Sequence, residues 1–173
     1  MNAELLVYQG DITQLKVDVI VNAANARLAG GGGVDGAIHR AAGNELYAAC
    51  RELGGCPTGE ARKTPAFNLG AKAIYHAVGP IWHGGNRGEG ELLASCYRYC
   101  MTLLQRDAFT SIAFPAISCG VYHFPLQQAA AIAIREVKVA CEHNNQVEKV
   151  IFCCFDTTTT TVYQRLLVSN GVI

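Results

Sequence analysis

The chain has 173 residues, 50% of them hydrophobic and 16% charged, enough apolar material for the core of one domain spanning residues 1–173. Fourteen Lys and Arg balance fourteen Asp and Glu, so no net field draws the molecule to nucleic acid or an anionic membrane, and direct nucleic-acid binding is not expected. No apolar run approaches the ~20 residues needed to span a bilayer, and no secretory pattern precedes the first apolar run, so the expected location is the cytoplasm.

In chain order, Leu5–Tyr8 and Val17–Val21 read as strands, followed by helical periodicity over Gly36–Leu53. Ala73–Val78 is a third strand. Glu91–Arg106 is an amphipathic helix, with Leu92, Leu93, Cys96, Cys100, Leu103 and Leu104 recurring at three- and four-residue steps. A strand at Ser111–Phe114 precedes a helix over Leu126–His143, whose first turn Pro125 suits. The strand Val150–Phe155 leads to a last helix, Thr158–Val168, with Asp156 as its N-cap and the Thr157–Thr161 run on an outer face. Strands alternating with helices predict a three-layer α/β/α fold with a mixed, largely parallel central sheet.

The eight cysteines (Cys50, Cys56, Cys96, Cys100, Cys119, Cys141, Cys153, Cys154) are scattered through apolar patterns and read as reduced, buried thiols. There is no CxxC pair. His39, His76, His83, His123 and His143 lack zinc spacing, and only Cys141 and His143 lie two apart, so neither a metal nor a cofactor is expected.

Ligands of such sheets bind beyond the carboxyl ends of the strands, which directs attention to Gly10–Thr13, Asn22–Gly36, Ser118–Phe124 and Asp156–Thr157. The run Gly30, Gly31, Gly32, Gly33 strips side chains from a loop entering a helix expected to start at Gly36. Its bare amides could cradle a diphosphate; a flexible surface loop is the alternative. Residues 31–36 formally satisfy GxGxxG, but seven residues separate the preceding strand from the first glycine, and Asp35 inside the loop would repel a closely held pyrophosphate. No GK[ST] follows, which excludes a Walker loop. Asn22 and Asn25 bracket two alanines after a strand, placed either to bond a hydroxyl or to fix a turn. Ser118, Cys119, Gly120, Val121 and Tyr122 form a second small loop, either the opposing half of a diphosphate clamp or an ordinary strand-to-helix turn.

Taken together, QGDIT at 9–13, VIVNAAN at 19–25, GGGGVDGAIHRAAG at 30–43, HAVGPIW at 76–82 and FPAISCGVY at 114–122, followed by Phe155 and Asp156, resemble the macrodomain family, specifically its MacroD-type bacterial members. The resemblance spans essentially the whole chain. It implies a sheet between helices with ADP-ribose across the strand ends, and hydrolysis of O-acetyl-ADP-ribose or release of mono-ADP-ribose from acidic side chains. ADP-ribose, its esters and ADP-ribosylated proteins are the implied partners.

Carried over on matching motifs, Asp11 looks like the carboxylate that accepts from the adenine amino group, Ile12 a backbone contact and Phe155 the stacking aromatic. A helix cap and a core aromatic are the ordinary alternatives for Asp11 and Phe155. Gly31, Gly32, Gly33 and Val34 resemble the first diphosphate loop and Ser118–Tyr122 the second, with Tyr122 beside the distal ribose. Asn25 and Asp35 match the positions that address the distal ribose and the attacking water. His39, one helical turn after Asp35, could orient that carboxylate or serve as a hydrogen-bonded structural histidine. Two positions depart from the MacroD pattern: Cys119 stands where Thr is usual and His123 where Gly is common. Oxidation of Cys119 is expected to weaken ligand binding. A non-catalytic ADP-ribose reader and a protein-binding regulator of RNA processing are the competing readings; the pairing of Asn25 with Asp35 favours the enzyme.

Overall fold

Six strands form one sheet in the order β1-β6-β5-β2-β4-β3, comprising β1 (Glu4–Gln9), β2 (Val19–Ala23), β3 (Ala61–Thr64), β4 (Ala73–Ala77), β5 (Ser111–Phe114) and β6 (Lys149–Cys154). The computed structural model describes residues 3–169; residues 1, 2 and 170–173, which the expected domain span includes, lie outside the described residues. All pairings are parallel except β3 with β4. The helices are α1 (Gly33–Ala42), α2 (Glu45–Leu53), α3 (Glu89–Arg106), α4 (Leu126–Glu142) and α5 (Thr157–Ser169), with a short 3-10 turn at Ile12–Gln14.

Strand periodicity divides the core between two layers. Val19, Val21, Tyr75, Ile112, Phe114, Val150 and Phe152 face α3, α4 and α5, whereas Ile20, Ile74, Ala113 and Cys153 face α1 and α2. Side chains buried on both faces explain why these strands read as continuous apolar runs. All eight cysteines are unpaired, and seven are buried. Among the described residues, no helix is long and apolar enough to cross a membrane.

The structure moves several expected boundaries. The expected helix over 36–53 is two helices: it begins at Gly33 and breaks at Gly43, whose φ of +100° lies outside the helical region. Consequently Asp35 lies in the first turn of α1 rather than in a loop before it. β2 ends two residues later than expected, which carries Asn22 into the strand with its side chain fully buried. Pro125 is the N-cap of α4 rather than a first-turn residue, because its ψ of 125° is extended. Asp156 does cap α5, its Oδ1 accepting from Thr159 N at 2.8 Å, and the threonine run faces outward apart from buried Thr160. Strand β3 has no counterpart in the expected elements: Ala-Arg-Lys-Thr is not an apolar run, and its charges suit a sheet edge that must not pair with another chain.

Candidate active site

Because β1, β6, β5, β2 and β4 run parallel, their carboxyl ends share one edge of the sheet. The residues beyond those ends follow the strand order. Asp11 comes after β1, Phe155 after β6, Ser118–Tyr122 after β5, and Asn25 with the glycine loop after β2. Three inter-strand steps of about 4.8 Å separate the first of these strands from the last, a span of about 14 Å.

At the β1–β6 end, Gly10 N donates to Cys154 O at 3.0 Å, which sets Asp11 and Phe155 side by side beyond paired strands. Asp11 Oδ1 accepts from Thr13 N at 2.9 Å and Thr13 Oγ1 at 2.7 Å, so it does cap the 3-10 turn, on an exposed side chain. Ile12 is buried beneath it. Phe155 is 90% exposed, which rules out the core-aromatic alternative and leaves a bare ring face at the surface.

At the β2 end the glycine loop runs directly into α1. Gly32 is the N-cap, and Gly30 and Gly33 hold φ of +79° and +58° that a side chain would strain. The first-turn N–H groups of a helix lack partners within it, and Gly31, Gly32 and Gly33 are exposed, with Val34 half-buried behind them. Asn25 closes the loop on itself: Nδ2 donates to Gly30 O at 2.9 Å and Oδ1 accepts from Ala29 N at 3.2 Å.

Asp35 is buried at the root of this loop. Its Oδ1 accepts from Asn22 Nδ2 at 2.8 Å and lies 3.4 Å from His39 Nε2. Its Oδ2 faces the other way. A Cβ built on Gly31 would sit 3.5 Å from Oδ2 and 3.9 Å from Asn25 Nδ2, so the missing side chain leaves a space bordered by both groups. Burial raises the Asp35 carboxyl above its ordinary value, partly offset by the Asn22 hydrogen bond and the charge of His39. The rise therefore precedes any contribution from a bound phosphate. Burial also lowers His39, against the pull of Asp35, and its ring packs against Tyr47, centroids 4.2 Å apart and planes tilted by 34°.

The loop after β5 is held by its neighbours. Ser118 is buried at φ +67°, its carbonyl accepts from Phe124 N at 2.9 Å, and Tyr122 O accepts from Trp82 N at 2.8 Å. A Cβ on Gly79 would lie 2.2 Å from Ser118 Oγ and 2.6 Å from Ile117 Cγ2, so the glycine admits this loop. Trp82 belongs to a segment that Glu89 pins from α3, accepting from the backbone N–H groups of His83 at 2.8 Å, Gly85 at 3.0 Å and Arg87 at 2.7 Å. Burial would raise the Glu89 carboxyl, but these bonds hold it at about 2. Neither Gly79, Glu89 nor the loop after β4 was among the candidates from sequence, although HAVGPIW contains the first of them.

Gly120 and Val121 project outward, Val121 being 85% exposed. Cys119 is half-buried, its Sγ 3.5 Å from Ile117 O, and burial pushes the thiol up to about 12. Burial thus favours the thiol over the thiolate, which slows oxidation relative to an exposed cysteine. His123 has φ +61°, a conformation that explains why glycine is common at that position in the MacroD pattern.

Fold and site together define a three-layer α/β protein with two glycine-bearing loops and a buried carboxylate at its strand ends. The chain belongs to the macro domain family, whose pattern matches residues 21–133. It is 54% identical over 175 residues to an O-acetyl-ADP-ribose deacetylase of Salmonella typhimurium, covering 99% of this chain and 98% of that one. It is 55% identical over 169 residues to a macro domain-containing protein of Chlorobaculum tepidum, covering 98% of each. Among solved structures, a mutant Oceanobacillus iheyensis macrodomain with ADPR superposes with a TM-score of 0.94 at 42% identity, covering 98% of this chain and 95% of that one.

Proposed function

We propose that this protein hydrolyses O-acetyl-ADP-ribose and releases mono-ADP-ribose from acidic side chains, acting on the ester at the distal ribose. The observation that carries the reading is the space at Gly31, bordered by Asp35 Oδ2 and Asn25 Nδ2 and opening beside the first turn of α1. An ADP-ribose laid along the strand ends has its adenine between Asp11 and Phe155, with Asp11 accepting from the amino group and Ile12 contacting through its backbone. Its diphosphate lies between Gly31–Val34 and Ser118–Tyr122, where loop amides and the positive end of α1 favour negative charge. The distal ribose reaches Asn25 and Tyr122.

Asp35 then acts as general base toward a water lodged near the diphosphate, taking the proton on Oδ2 while Oδ1 stays bonded to Asn22, with His39 Nε2 3.4 Å away. A neutral His39 can donate from Nε2 and orient the carboxylate. Asn25 positions the ribose hydroxyls, and bound phosphate raises the basicity of Asp35 further by like charge. Eight unpaired thiols support a reducing compartment such as the cytoplasm.

Chromatography of O-acetyl-ADP-ribose after incubation with wild-type and Asp35→Ala protein, with calorimetry of ADP-ribose in parallel, tests the reading. Hydrolysis is expected from the wild type, with turnover falling at least 100-fold in the variant and affinity changing by less than about tenfold. Equal turnover would remove Asp35 from the chemistry. Tight binding with no hydrolysis by the wild type would favour a reader.

A further inference from the structure

We propose that His76 is a positioning residue: it accepts one hydrogen of the Asn22 carboxamide and anchors its own ring on Thr64, so that the other amide hydrogen holds Oδ1 of Asp35 and leaves Oδ2 for the substrate. The inference rests on the reading of Asp35 as the acid–base group. It starts from a polar ladder on an otherwise apolar sheet face. Asn22 and His76 are register partners on β2 and β4, both essentially inaccessible to solvent, and they share the face that meets α1 and α2.

Asn22 Nδ2 lies 2.8 Å from Asp35 Oδ1 and 3.1 Å from His76 Nδ1, and His76 Nε2 lies 2.9 Å from Thr64 Oγ1. Burial, with the charge of His39 second, drives His76 down to about 3, so the ring is neutral and carries one N–H. An Nδ1 that receives the Asn22 N–H must be the bare nitrogen, which puts the proton on Nε2, where Thr64 Oγ1 accepts it and Cys50 Sγ sits 3.8 Å away. Both hydrogens of the Asn22 amide are then used, while its Oδ1 is buried without a partner.

That orphaned oxygen identifies what His76 contributes. While Asp35 is ionised, its own charge selects the N–H side of Asn22. Once Asp35 has taken a proton, a half-turn of the Asn22 amide would satisfy Oδ1 with the new carboxylic O–H and stabilise the proton on the wrong oxygen. The bare Nδ1 of His76 opposes that flip, since it would face the amide oxygen lone pair to lone pair unless the ring proton moved from Nε2 to Nδ1 and the Thr64 bond reversed with it. The proton therefore remains at Oδ2, available to the leaving group. The other titratable groups around Asp35 are His39 on its own helix and Cys50 on α2, with Tyr47 covering His39, Arg40 exposed on α1, and Arg62 of β3 opposite His76 but ion-paired to Glu60. None of these contacts Asn22 as His76 does.

The test compares His76→Phe, which keeps ring volume without an acceptor, with His76→Asn, whose side-chain oxygen can replace Nδ1. The Asp35 carboxyl is titrated by carbon-13 NMR, and kcat and KM are measured on O-acetyl-ADP-ribose. His76→Phe is expected to move the Asp35 midpoint upward and lower kcat about tenfold with KM within about twofold, and His76→Asn to recover most of both. An unmoved midpoint in folded His76→Phe would overturn the proposal, as would failure of His76→Asn to recover while remaining folded. A midpoint that rises with kcat untouched overturns the underlying role of Asp35 in turnover, leaving the hydrogen-bond chain intact. If His76→Phe does not fold, Thr64→Val, which unpins Nε2, must raise the midpoint in the same direction; no change there counts against the proposal equally.

Discussion

Burial of Asp35, outweighing the opposing pull of Asn22 and His39, favours its protonated form in the folded chain relative to the unfolded one. A carboxyl whose folded value is raised binds more protons folded than unfolded, so stability falls as pH rises from the ordinary aspartate value through the raised folded one. Above that window the ionised, buried carboxylate is therefore a standing cost to the fold. Asp35→Asn keeps an acceptor for Asn22 and removes the charge. It should raise the melting temperature at pH 7.5 by ~2–4 °C, with the gain shrinking as pH falls through the raised folded value and gone by the ordinary aspartate value, while abolishing turnover. Differential scanning calorimetry across pH checks the sign; a variant less stable than wild type at pH 7.5 would mean that the ionised carboxylate contributes net stabilisation. The sequence made Asp35 and His39 visible because they stand in a glycine-rich motif, and Asn25 because it closes VIVNAAN just before it. It did not make the support behind Asn22 visible, since His76 and Thr64 become its neighbours only through the β2–β4 and β3–β4 pairings.

Among the elements, those with strong apolar periodicity were legible and those set by backbone geometry were not. The five parallel strands and helices α3, α4 and α5 follow from runs of buried side chains, as the alternation between the two core layers shows. The division of α1 from α2 follows from one glycine at φ +100°, which apolar periodicity does not record, and β3 is held by pairing rather than by its own composition. The same contrast applies to the loops. Gly79 looks unremarkable in sequence, yet the loop after β5 closes against it at a distance that no Cβ tolerates. Gly79→Ala should destabilise the fold by about 1–3 kcal/mol and weaken ADP-ribose binding about tenfold or more through displacement of Ser118–Tyr122. Adding Ser118→Ala removes the Oγ nearest the new methyl, so the double variant should recover part of both losses. Strict additivity in a double-mutant cycle followed by denaturant unfolding and calorimetry would show that the clash is relieved elsewhere.

At the scale of the whole molecule, what matters is that strand order, not sequence order, arranges the site. Asp11 and Phe155 lie at opposite ends of the chain yet stand together because β1 pairs with β6, while Asn25 and Asp35 lie three strands away across the sheet. On the proposed reading, a ligand along this edge meets a ring and a carboxylate at one end, backbone amides in the middle and Asn25 with Asp35 at the other. These contacts should be separable. ADP shares the adenine and diphosphate of ADP-ribose but lacks the distal ribose, so Phe155→Ala and Asp11→Ala should weaken both ligands by the same factor. About tenfold is expected for Phe155→Ala, given that stacking a base on an aromatic ring contributes about 1–3 kcal/mol. In either variant, kcat at saturating O-acetyl-ADP-ribose should stay within about threefold of wild type, since neither residue lies near the reacting bond. Calorimetry with both ligands beside steady-state kinetics decides the matter. If Phe155→Ala weakened ADP-ribose but not ADP, the ring would be reading the ribose end, and the ligand would run across the sheet in the opposite direction.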